Sequence, residues 1–245
     1  QKKGSVNAIA FKNELFRLCV LAYHAKQDGA FKRIEIRNPA KKSAALADLV
    51  YEAECIAIGA STGGPVALRE VLSDLPVNAP PIVVAQHMPV NMGPSILRGL
   101  SSSLSSPVRM ADDGVALERG EIYLAPPSVI TSVVRRLGRL VFRHEVEPPD
   151  ATLTPMIDPL MQSIATTCKS KAVGVILTGM GKDGSEGLLA MKNQGAWTII
   201  QDEKTSVVFG MPKQAVLVGA VCEVAPLPSI RERMLLASAK KQSVA

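Results

Sequence analysis

The stretch CIAIGASTGGPVALREVL, residues 55–72, decides how this chain reads. An apolar run ends in Gly59-Ala60-Ser61-Thr62-Gly63-Gly64-Pro65, and apolar residues then recur at helical spacing. A strand therefore meets a helix at a turn that leaves almost no side chain around its serine. Three readings suit such a turn. It can cradle a phosphate on free backbone N–H groups. It can hold a nucleophile clear of its neighbours, since Gly59-Ala60-Ser61-Thr62-Gly63 fits G-x-S-x-G. Or it can be a tight loop with Ser61 as N-cap and Pro65 in the first helical turn, with no chemistry.

Outward from this stretch the texture repeats. Strand-like runs are ECIAIG, PIVVAQ, EIYLAP, AVGVILTG, WTIIQ and AVCEVA, and several are apolar at consecutive positions. That is the pattern of strands buried on both faces of a parallel sheet. Between them the spacing predicts helices near 65–75, 93–104, 155–168, 184–194, 210–218 and 228–238. VITSVVRRLGRLVFRH, 129–144, reads as two strands around a turn near Gly138. The expected fold is a doubly wound α/β domain: a mainly parallel sheet flanked by helices, with a local antiparallel hairpin.

The leading segment differs. FKNELFRLCVLAYHA, 11–25, has helical spacing, and a charged stretch without period follows it. Residues 1–50 therefore read as a basic helix and linker, with His24 exposed at the helix end, and 51–245 as the main domain. The net charge of +6 resides in the leading segment, which holds ten Lys and Arg against four Asp and Glu. The remainder carries 18 of each sign, and no nucleic-acid-binding module accompanies the charge, so nucleic acid is not an expected partner. No apolar run approaches the roughly 18 residues of a membrane span. Charges interrupt every early apolar stretch, which argues against a signal peptide and for the cytoplasm. Cys19, Cys55, Cys168 and Cys222 lie far apart with no metal-type spacing. Cys55 and Cys222, within apolar runs, are expected to be buried free thiols.

In an open parallel sheet, ligands bind outside the carboxyl ends of the strands. Three strand ends carry chemistry. Ser61 follows ECIAIG, His87 follows PIVVAQ, and Gly179-Met180-Gly181-Lys182-Asp183-Gly184 follows AVGVILT. A hydroxyl, an imidazole and a carboxylate suit nucleophile, base and orienting acid. Their order, Ser, His, Asp, is not that of the α/β-hydrolases. Asp112, Asp113, Asp158 and Asp202 compete with Asp183 for the third role, and spacing does not choose among them. His144 ends the hairpin and reads as a surface residue. A rival reading takes Gly179–Gly184 as G-x-G-x-x-G, with Asp202 about 20 residues on as a ribose acceptor, and makes the protein a dinucleotide-binding oxidoreductase. Lys182-Asp183 within that turn speaks against it, because a carboxylate there repels phosphate.

Ser61-Thr62-Gly63-Gly64, Gln86-His87-Met88-Pro89, GVILTGMGKDGSEGLLAMK and VVFGMPKQAV together resemble the catalytic domain of the bacterial chemotaxis receptor protein-glutamate methylesterase. ADDGV and GEIYLAPP fit too, and the resemblance runs in order from about 53 to 225. It implies hydrolysis of glutamate γ-methyl esters on chemoreceptor cytoplasmic helices, and in some members deamidation of receptor glutamines. It implies Ser61 as nucleophile, His87 as general base, Asp183 as its orienting acid, and the Met180 backbone N–H as an oxyanion donor. Thr62 stands as an active-site neighbour, and no metal or cofactor is needed. Methyl-accepting chemotaxis receptors are the expected partners, without membrane insertion. In the family a histidine kinase also phosphorylates a receiver domain that covers the site. No receiver domain is expected within this sequence, whose residues 11–25 resemble the helix and linker after such a domain, so the expectation is a constitutively open site. One segment departs from the family. EPPDATLTPMIDPL, 147–160, keeps Pro155 and Asp158 but has Leu153, Thr154 and Met156 near the places of a basic stretch and a serine. A receptor-docking module without turnover is the alternative that this departure supports.

Overall fold

Alternation of strand and helix is borne out almost element by element. The computed structural model describes residues 46, 48–127, 129–146 and 157–239. The expected helix at 11–25, the linker, Cys19, His24 and the divergent residues 147–156 lie outside them. The strands are β1 (Cys55–Ala60), β2 (Ile82–Gln86), β3 (Val108–Met110), β4 (Ile122–Leu124), β5 (Val129–Arg136), β6 (Arg139–Val146), β7 (Ala172–Ile176), β8 (Trp197–Gln201) and β9 (Glu223–Ala225). The helices are α1 (Gly64–Val71), α2 (Gly93–Ser101), α3 (Ile157–Cys168), α4 (Ser185–Asn193), α5 (Met211–Leu217) and α6 (Leu227–Ser238).

Seven strands form one sheet in the order β3-β4-β2-β1-β7-β8-β9, and every pairing in it is parallel. Successive side chains of a strand point to opposite faces, and the core divides accordingly. Ile56, Ile58, Ile82, Val84, Val173 and Val175 face α1, α2 and α6. Cys55, Ala57, Val83, Ala85, Ala172 and Ile176 face α3, α4, α5 and the hairpin. The second set is smaller, which lets α3 settle close to the centre of the sheet. That helix buries Ile157, Leu160, Met161, Ile164, Ala165 and Cys168, one stripe at helical spacing.

The hairpin turns where the sequence placed it. Arg136 pairs with Arg139 across Leu137 and Gly138, both with positive φ, 48° and 81°, as a two-residue hairpin turn requires. The free edge of β5 is closed by α3: Val133 N donates to Ser163 Oγ, and Thr167 Oγ1 donates to Val133 O, each at 2.9 Å.

Three readings need correction. Strand β3 was not anticipated, because its three residues are partly exposed at the sheet edge. Cys222 is exposed, because it precedes β9, a short strand at the opposite edge, while Cys55 is buried as expected. His144 is half-buried and not a surface residue, since its ring meets Ala111 O at 2.6 Å. Burial, helped by Cys168 and Glu54, pushes the Cys55 thiol well up, and burial pushes Cys168 up to about 12. Neither suits a nucleophile. Among the described residues no helix is long and apolar enough to cross a membrane.

Candidate active site

β2, β1 and β7 lie side by side at the centre of the sheet, and their carboxyl ends finish level. The ladder runs slightly past them. His87 N donates to Ala60 O at 2.9 Å, and Ser61 N donates to Thr178 O at 3.0 Å. From β1 the chain works outward through β2 to β4 and β3; at β7 it returns to the other side of β1. The helix after β1 and the helix after β7 cover opposite faces, so their leading loops part and leave a crevice at the switch point.

Ser61 stands at this crevice, half-buried. It is not an N-cap. Helix α1 is capped by Gly63, at φ 83°, with no side-chain cap bond. Pro65 in the first turn fits the expected helix start. Among the described residues the Ser61 hydroxyl has no hydrogen-bond partner, while its own backbone N–H and carbonyl are both bonded.

His87 Nε2 meets Asp183 Oδ2 at 2.5 Å. A carboxylate accepts only, so the proton sits on Nε2 and the lone pair on Nδ1. The ring is thus turned the other way from the Ser-His-Asp template, where Nδ1 meets the acid. Asp183 is itself clamped by the start of α3: Oδ2 accepts from Ile157 N at 3.1 Å and Oδ1 from Asp158 N at 2.9 Å. The carboxylate thus sits at a helix N-terminus, where free N–H groups and the dipole favour negative charge. Burial pushes its titration up, but the bonds from His87, Asp158 and Ile157 outweigh burial and hold it below the usual carboxylate range.

The other carboxylates have different work. Asp158 Oδ1 accepts from Gly187 N at 2.6 Å, joining α3 to α4. Burial first, then the charge of Asp183, raises Asp158. Asp113 accepts from His144 N, and Asp202 from Thr205 N and Oγ1. Asp112 makes no hydrogen bond to His87 among the described residues. No group of three His, Cys, Asp or Glu among those residues is placed to hold a metal ion.

Gly179 brings the third loop against Ser61. A Cβ at 179 would lie 2.7 Å from Ser61 Cβ and would collide with Met211 Sδ, so only glycine fits. Gly179 O accepts from Gly210 N at 3.1 Å and Met211 N at 2.9 Å. Across a trans peptide the next N–H points the opposite way, so Met180 N–H turns away from residues 210–211. Ser61 O likewise accepts from Gly64 N at 2.8 Å and Gln86 Nε2 at 3.0 Å, which turns Thr62 N–H away from both. Neither Met180 N–H nor Thr62 N–H has an acceptor among the described residues. Unpaired backbone donors are the groups with which an oxyanion is held.

A family model described as CheB methylesterase matches residues 56–234. The chain belongs to the CheB methylesterase family. It is 42% identical over 214 residues to protein-glutamate methylesterase/protein-glutamine glutaminase 2 of Bordetella avium (strain 197N), covering 84% of this chain and 61% of that one. It is 38% identical over 214 residues to the protein-glutamate methylesterase/protein-glutamine glutaminase of Salmonella choleraesuis (strain SC-B67), covering 86% and 61%. The crystal structure of the Thermotoga maritima CheB methylesterase catalytic domain matches with a TM-score of 0.72 and 36% identity, over 75% of this chain and 98% of that one. The chain thus spans about three fifths of the length of the first two relatives. Membership in the CheB methylesterase family weighs against the dinucleotide reading, and Asp202, which caps its own turn, is not free to hold a ribose.

One residue of this CheB methylesterase domain that the motifs did not single out is Thr178, 1% exposed. Its N donates to Gln201 Oε1 at 2.8 Å, and its O accepts from Ser61 N. Its hydroxyl donates to Thr62 O at 3.0 Å and accepts from Val208 N at 3.0 Å. It therefore joins the serine turn to the loop before α5. The available signal was a polar side chain at the end of a buried run, as at Gln86 and Gln201. Thr178→Val keeps the shape and leaves Val208 N–H without that acceptor. The expected cost is about 1–3 kcal/mol of stability, read by urea denaturation.

Proposed function

We propose that this chain hydrolyses γ-glutamyl methyl esters on the cytoplasmic helices of chemotaxis receptors, releasing methanol. The observation that carries the reading is the His87–Asp183 pair, fixed by the start of α3, one strand from Ser61 at the switch point. Ser61 Oγ attacks the ester carbonyl as His87 Nδ1 takes its proton. Met180 N–H and Thr62 N–H receive the oxyanion. His87 returns the proton to the methoxide, methanol leaves, and a glutamyl-serine ester remains. Water then repeats the sequence, with His87 as base, and frees glutamate and Ser61. A glutamine side chain enters the same steps with ammonia as leaving group, in line with the double name of the relatives. No metal or cofactor takes part. The residues from 51 onward form the catalytic unit in this reading, and 1–50 tether it. The setting is the cytoplasm, where the receptor helices lie, and the site is open without phosphorylation.

Methylated chemoreceptor membranes provide the test. Methanol release by this chain, and none by Ser61→Ala, is the expected result. Receptor binding with no release from either would instead favour a docking module and turn attention to Leu153, Thr154 and Met156.

A further inference from the structure

All five residues of β2 are buried, and four are the apolar residues such a strand calls for. The fifth, Gln86, is 5% exposed. Its amide donates one hydrogen to Ser61 O at 3.0 Å and the other to His87 O at 2.8 Å. Its own Oε1 is buried with no hydrogen-bond partner. Gly64 makes the room, since a Cβ there would collide with that oxygen. An unpaired buried oxygen is unfavourable, and an apolar side chain would avoid it. Nor does Ser61 O need the bond for satisfaction, because Gly64 N already donates to it. His87 O has no other donor among the described residues, but satisfying it leaves Oε1 unpaired, so the fold alone gains little from the amide.

The reason lies in what it joins. The parallel ladder between β1 and β2 makes its last bond from His87 N to Ala60 O. Beyond it the chain enters α1 on one side and a short 3-10 turn, Val90–Met92, on the other. Ser61 and His87 stand where the two backbones part. We propose that Gln86 is a positioning residue, whose carboxamide ties the carbonyl of the nucleophile residue to that of the base residue and fixes their spacing. It also fixes the plane of the Ser61–Thr62 peptide, and with it the direction of Thr62 N–H.

The inference rests on the methylesterase reading for the reaction it serves, but not for its test. A small fluorophosphonate reacts with an activated serine without any receptor. In Gln86→Met the labelling rate of Ser61 and the esterase kcat should both fall about 10- to 100-fold, as misplacement by a fraction of an ångström to an ångström does. KM should hold, and Tm should change little, since the variant removes the unpaired Oε1 but also the donor to His87 O. Gln86→Glu guards against misfolding of the first variant. Its carboxylate cannot donate, but its carboxylic acid donates one bond, so its labelling rate relative to wild type should climb as pH is lowered. Unchanged labelling in both variants would overturn the proposal, as would a loss that merely follows the folded fraction. A wild-type Ser61 that resists the probe would overturn it too, for there would be no nucleophile to position. A wild-type chain that is labelled yet releases no methanol would sink the receptor reading and leave Gln86 in its role.

Discussion

Ser61→Ala should lower kcat for methyl-ester hydrolysis by about 10³-fold or more, as removal of a triad nucleophile does elsewhere. The fold should not notice. The Ser61 hydroxyl makes no hydrogen bond among the described residues, and the serine is not the cap of α1, a place held by Gly63. What holds this turn is backbone: Ser61 N to Thr178 O, and Gly64 N and Gln86 Nε2 to Ser61 O. Alanine keeps all of it. The unfolding midpoint should therefore match wild type, and receptor binding should persist. On the proposed mechanism the residual rate should still exceed that of water, because the unpaired N–H groups of Met180 and Thr62 remain. Methanol release and a thermal melt on the same preparation check both halves. A Ser61→Ala enzyme with near-wild-type turnover would remove Ser61 from the mechanism. A large loss of Tm would mean that the serine is structural after all.

How far the sequence carried depended on how local each cause was. β1, β2, β7 and β8 were legible because burial on both faces writes consecutive apolar residues. The hairpin was legible because Leu137-Gly138 must turn with positive φ. β3 was not, since three partly exposed residues at an edge leave no period. The site divides the same way. Ser61 and His87 stood out as chemistry-bearing residues just past buried strands. Spacing did not choose Asp183 over Asp112, Asp113, Asp158 and Asp202; only the resemblance of GMGKDG did, because the physical ground for the choice lies in where α3 begins. That helix starts 26 residues before Asp183 in the chain, yet Ile157 N and Asp158 N are what clamp the carboxylate. The roles of Gln86, quoted only as part of a motif, and of Thr178 were not legible for a related reason. Each is a polar residue in or at the end of an apolar run, and only the backbone carbonyls that they meet give them meaning.

Asp183→Asn should leave a folded protein and cost on the order of 10³- to 10⁴-fold in kcat. Asparagine has one acceptor oxygen where three N–H groups now converge on two. With its oxygen toward Asp158 N, its NH₂ faces His87 Nε2 and Ile157 N. The imidazole must then accept at Nε2 and carry its proton on Nδ1, so no lone pair is left for Ser61. With its oxygen toward His87, the NH₂ instead opposes Asp158 N–H and disturbs the start of α3. Stability should report the same change. Asp183 titrates below the usual carboxylate range. Its contribution is thus complete above the unfolded-state pKa of about 3.9 and fades as pH falls through the lower folded value. Asp158, raised by burial and then by the charge of Asp183, acts in the opposite sense: stability declines as pH rises from the unfolded to the folded pKa. In Asp183→Asn the first effect disappears and the second shrinks, because the neighbouring charge is gone. The first widens the stability gap between wild type and variant as pH rises, and the second narrows it. With three N–H bonds on Asp183 against one neighbouring charge on Asp158 the first should win, so the gap should be wider at neutral pH than in acid. Urea unfolding across that range, beside kcat at neutral pH, tests both. Unimpaired turnover in Asp183→Asn with an inactive Asp112→Asn would move the third role to Asp112. A gap that does not narrow in acid would mean that the carboxylate is not held in its charged form by the α3 N-terminus.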